Sequence, residues 1–91
     1  MAFGRQVRLI LVAGTDNCHL EDMSQTGARV TLTRLAPQPR DGVMLVIGEE
    51  RIFAMVVWHR GRECGLAFDK PMTAEDLARF HASLPPRSIT G

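Results

Sequence analysis

Asp22-Met23-Ser24-Gln25-Thr26-Gly27 runs directly into Ala28-Arg29-Val30-Thr31-Leu32. From Ala28 to Arg34 the residues alternate. Ala28, Val30 and Leu32 form an apolar face and Arg29, Thr31 and Thr33 a polar one. This period of two belongs to a strand with one buried face. In the six residues before it, an acid, a hydroxyl and a glycine stand at spacings of two and three. Asp22 accepts hydrogen bonds, and Ser24 donates or accepts them. Gly27 permits a positive φ or a close approach of backbone to a ligand. The same three residue types also make an ordinary turn between strands, held by side chain-to-backbone bonds. Both readings stay open at this point.

The same alternation recurs on both sides of the stretch. Towards the N-terminus, Val7 to Ala13 is a compact apolar run, Gly14-Thr15-Asp16-Asn17 a connection, and Cys18 to Met23 a second alternating run. Together they predict a β-hairpin with Cys18 and Leu20 inward. Towards the C-terminus, Pro37, Pro39 and Gly42 mark the loop from Ala36 to Gly42. Val43 to Ile47 and Ile52 to Trp58 then flank Gly48-Glu49-Glu50-Arg51 as a second hairpin. The run from Ile52 to Trp58 is almost wholly apolar, which predicts cover on both of its faces. His59 to Arg62 turns the chain into Glu63 to Phe68, where Cys64, Leu66 and Phe68 share a face. Six short strands at even spacing indicate a small barrel or sandwich.

The last element has the other period. Thr73 and Asp76 form a T-x-x-D capping signal, and Ala74, Leu77, His81 and Leu84 fall on one helical face with Phe80 beside it. Pro85-Pro86 stops the helix. Its stripe is the expected cover for the outer face of the strand around Met55. The organisation predicted is one domain over 1–91: an N-terminal arm over 1–6, a barrel over 7–68, a helix over 73–84 and a flexible tail over 85–91.

Composition narrows the function classes. The chain has 91 residues, 45% hydrophobic and 23% charged, with a net charge of +1, which suits one globular domain. A near-neutral balance argues against bulk-charge binding to DNA or an anionic membrane. Ten of the eleven basic residues are arginine, whose planar fork pairs with phosphate and stacks on bases. Cys18 and Cys64 have no C-x-x-C partner and sit among apolar residues, which predicts buried free thiols. His19, His59 and His81 are scattered without metal-ligand spacing, so no metal site is expected. Ser24 has no G-x-S-x-G context and no glycine-rich phosphate loop is present, so no enzyme is expected. One tryptophan and four phenylalanines are too few for a single-stranded nucleic-acid platform. The longest apolar run near the N-terminus is too short for a signal peptide or a membrane span, so a cytoplasmic protein is expected.

The D-x-S-x-x-G pattern at Asp22, Ser24 and Gly27, placed between the second and third of six strands and followed by a C-terminal helix, resembles the PilZ domain family. The likeness extends to Gly42-Val43, to Ala54-Met55-Val56-Val57-Trp58 and to Cys64-Gly65-Leu66-Ala67-Phe68. The resemblance implies an all-β fold, a six-stranded and mainly antiparallel β-barrel with one C-terminal α-helix. It also implies a receptor for the bacterial messenger cyclic di-GMP that relays the signal to an unidentified protein partner. On that reading Asp22 and Ser24 take a guanine edge, Gly27 admits the ligand to the backbone, Arg5 and Arg8 pair with phosphate, and Arg29 lies beside the ligand. Nucleotide-binding members carry R-x-x-x-R ahead of the barrel, whereas Arg5-Gln6-Val7-Arg8 is one residue shorter. Residues three apart on an extended arm face opposite sides. A PilZ-fold protein that binds no nucleotide and serves as an interaction module is therefore the alternative. Arg60 and Arg62, beside Trp58 and His59, read either as solvated turn residues or as partners of a stacked base.

Overall fold

The computed structural model describes residues 2–82. Six strands follow one another as β1 (Ala2–Leu11), β2 (Gly14–Met23), β3 (Gly27–Thr31), β4 (Gly42–Ile47), β5 (Glu50–Arg60) and β6 (Glu63–Phe68), and a helix α1 (Ala74–Ala82) comes last. The strands close into a barrel in the order β1-β2-β3-β6-β5-β4. Every pairing is antiparallel, and β1 meets β4 through Arg8–Val46, Leu9–Leu45 and Ile10–Met44 to seal the cylinder. The expected fold is the one observed.

Alternation builds the core. Val7 and Leu9 of β1, Cys18 and Leu20 of β2, Val30 of β3, Leu45 and Ile47 of β4, Ala54 and Val56 of β5, and Cys64, Leu66 and Phe68 of β6 all point inward. Burial pushes the Cys18 thiol up to about 12, helped by the nearby Asp16 charge, and the Cys64 thiol up to about 11. Both remain free thiols in the interior.

Two boundaries differ from the sequence reading. The arm expected over 1–6 is largely strand, because β1 starts at Ala2 and pairs with Asp22. The first hairpin turns at Val12-Ala13, so Gly14 to Asn17 extends β2 instead of connecting it. Asp16 consequently falls in phase with Cys18 and Leu20 and is fully buried. Its carboxylate accepts bonds from the backbone of Thr33, Arg34 and Leu35 and from Thr33 Oγ1, at 2.7 to 2.9 Å. Burial alone would raise this carboxyl, and the four donors outweigh it and hold it below its ordinary value. The chain after β3 is thereby tied across one end of the barrel.

β5 is not covered on its outer face. Phe53, Met55 and Val57 are 61%, 43% and 52% exposed, while Ile52, Ala54 and Val56 face the core. The expected docking of α1 over Met55 is corrected accordingly. The helix closes the other end of the barrel, where Phe80 is buried in the core and Leu77 and Met72 pack against it. Ala74 and His81, placed on the packed face by the sequence, are exposed. The helix start is as read, with the Asp76 N–H donating to Thr73 Oγ1 at 3.0 Å. Leu84 and the expected tail over 85–91 lie outside the described residues.

Candidate functional site

Strict alternation would turn Asp22 into the core behind Cys18 and Leu20. A register shift between Leu20 and Asp22 prevents this. Met23 takes the inward position and Asp22 comes to the outer face. An equivalent shift lies between Val56 and Trp58 on β5, so that Trp58 pairs with Gly65 and faces outward. β-Bulges of this kind re-aim single side chains, and here two of them aim at one place.

The pairings connect Asp22 to Arg29, Arg29 to Gly65 and Gly65 to Trp58, one row across β2, β3, β6 and β5. A shallow pocket of about 340 Å³ lies over this row, with Ser24, Gly27 and Val57 also in its lining. Trp58 rests on Gly65, where a Cβ would overlap the indole ring. The Arg60 guanidinium stands 5.9 Å from the ring centroid.

Charges in the pocket are paired. Arg29 Nε and Nη2 donate to Asp22 Oδ2 at 3.0 and 2.8 Å, and Nη1 donates to Glu63 Oε2 at 2.9 Å. The bonds it donates to Asp22, and the charge of that carboxylate, raise the Arg29 pKa further. Ser24 organises the turn. Its N–H donates to the Gly27 carbonyl at 2.8 Å, and its Oγ accepts from the Thr26 N–H at 3.3 Å. Gly27 has a structural requirement of its own, since a Cβ there would strike the Leu66 carbonyl oxygen where β3 presses on β6.

The structure therefore gathers Asp22, Ser24, Gly27 and Arg29 and leaves Arg5 and Arg8 elsewhere. Arg8 is exposed on β1 and pairs with Asn17, five residues before Asp22, roughly 17 Å along the strand at 3.4 Å per residue. Arg5 lies in the opposite phase, at the helix end of the barrel, lining a cavity with Ile47, Gly48 and Phe80. Glu63 and Gly65 escaped the sequence reading because their roles depend on strand register. Behind the pocket, the turn is fastened to the segment that leads into α1. Met72 N–H donates to the Gln25 carbonyl at 2.8 Å, and Gln25 Nε2 donates back to the Met72 carbonyl at 3.0 Å.

Among the described residues no three His, Cys, Asp or Glu side chains gather as a metal site. No helix among them is long and apolar enough to cross a membrane. A protein-family model described as PilZ domain matches residues 1–84. No curated protein and no solved structure matches the chain.

Proposed function

The chain belongs to the PilZ family, a non-catalytic receptor family that generally binds cyclic di-GMP, and on that premise we propose that it is a cyclic di-GMP receptor whose site is the outer pocket on the Asp22–Trp58 row. The carrying observation is the pair of bulges that turn Asp22 and Trp58 outward onto that row. Strands rarely spend an irregularity on a solvent-facing side chain without a use for it, and bulges concentrate next to binding sites. Asp22 and Ser24 supply polar groups for a guanine edge, and Trp58 supplies a flat apolar surface in the same pocket. The Gln25–Met72 bonds would carry an ordering of the turn to α1, where a partner protein could read it.

The second reading, an interaction module without nucleotide, is favoured by one observation. Arg5 and Arg8 stand in opposite phases and away from the pocket, so the phosphates would lack their usual clamp. Calorimetric titration separates the two readings. The receptor reading predicts saturable cyclic di-GMP binding, weakened by roughly 1–3 kcal/mol in Asp22→Ala and in Ser24→Ala. A residue inserted between Arg5 and Arg8, restoring the family spacing, is expected to tighten binding. If neither the natural chain nor the insertion variant binds, the interaction module stands.

A further inference from the structure

Arg29 was expected beside the ligand as one more cation, yet the geometry around it suits a different task. Two of its donors go to a single oxygen of Asp22, and a third goes to Glu63. A guanidinium between two carboxylates leaves the network with net charge −1, which is poorly suited to attracting a phosphate. A phosphate oxygen would also have to displace a carboxylate already bonded at 2.9 Å. Asp22 Oδ1, by contrast, takes none of these bonds and remains the acceptor available to the pocket that Asp22 lines.

We propose that Arg29 is a positioning residue that sets base selectivity: anchored by Glu63, it fixes the Asp22 carboxylate so that Oδ1 accepts from the N1–H and exocyclic amine of a guanine. The planar fork matters because two N–H groups converging on Oδ2 hold that oxygen more tightly in place than a single ammonium bond does. Glu63 matters because it holds the guanidinium from the far side. Selectivity for guanine is then a property of the Asp22–Arg29–Glu63 chain and not of Asp22 alone. This inference rests on the reading of the pocket as a cyclic di-GMP site.

The test compares cyclic di-GMP with cyclic di-IMP, which has the same phosphates and ribose and lacks only the exocyclic amine. Both are titrated into the full chain and into Arg29→Lys, Glu63→Gln and Glu63→Ala. A site that hydrogen-bonds the amine prefers cyclic di-GMP by about tenfold. Arg29→Lys keeps the charge and loses the fork, so the preference is expected to fall below about threefold, because cyclic di-GMP loses both of its bonds to Asp22 and cyclic di-IMP only the N1–H bond. Glu63→Gln still accepts from Arg29 and is expected to keep the preference, while Glu63→Ala loses part of it. The Glu63 pair keeps the test usable if Arg29→Lys fails to fold. Equal weakening of both ligands in Arg29→Lys, which leaves the preference intact, would overturn the proposal, as would an unchanged preference in every variant. Absence of binding to the natural chain would remove the receptor reading and the proposal together.

Discussion

The indole of Trp58 lies on Gly65, its register partner across β5 and β6, in the space where any other residue would carry a Cβ. The contact shields the backbone of β6 and presents the tryptophan on the outer face. Gly65→Ala is therefore expected to push the ring out of its seat at a cost of about 1–3 kcal/mol, the range for overpacking. A lower melting temperature with altered tryptophan fluorescence checks this, and Trp58 is the sole tryptophan of the chain. Unchanged stability and emission would mean that the ring is not held there.

The Asp16 carboxylate is held below its ordinary value by its donors, so the sign of its pH effect is fixed. Its contribution is fully present above the unfolded value of about 3.9 and is lost as pH falls through the folded value. Asp16→Ala is expected to lower stability at pH 7 by roughly 3 kcal/mol, because the backbone donors at Thr33, Arg34 and Leu35 lose a common acceptor that is itself fully buried. The variant should also show a shallower loss of stability below about pH 4 than the natural chain. Denaturant melts at several pH values measure both effects.

Phe80 enters the barrel end from α1, with Leu77 one turn before it. Phe80→Asp should destabilise by more than about 3 kcal/mol, since it exchanges a buried ring for an unpaired charge. Ala74→Asp and His81→Asp, at exposed positions, should melt close to the natural chain. Equal effects at all three positions would show that the helix docks by another face.

Cys18 and Cys64 are fully buried, and burial raises both thiols far above neutral pH. Labelling by a thiol reagent should be slow in the folded protein and fast after unfolding. Rapid labelling of both under native conditions would contradict the strand phases.

Most of the fold could be read from the chain because its strands alternate. Cys64, Leu66 and Phe68, or Val30 beside Arg29, declare an inner and an outer face without reference to anything distant. What could not be read depended on distant partners. Asp16 looked like a turn residue, since nothing local reveals that the chain at 33–35 delivers four hydrogen bonds to it. The apolar run from Ile52 to Trp58 suggested two covered faces, whereas Phe53, Met55 and Val57 are exposed. Neither bulge has a local signature, so the outward aim of Asp22 and Trp58, and the row they form with Arg29 and Gly65, came only with the register. The Arg5 and Arg8 spacing did carry information. Three residues apart on a strand means opposite faces, and the two side chains do lie in opposite phases.

On the proposed reading, the outer row from Asp22 to Trp58 is where this domain receives cyclic di-GMP. Amide and indole NMR resonances followed during titration with the nucleotide test it most directly. Saturable shifts are expected at Asp22, Ser24, Gly27, Arg29, Gly65 and the Trp58 indole N–H, with smaller ones at Met72. Shifts confined to the cavity around Arg5 and Phe80, or a spectrum that does not change, would contradict it.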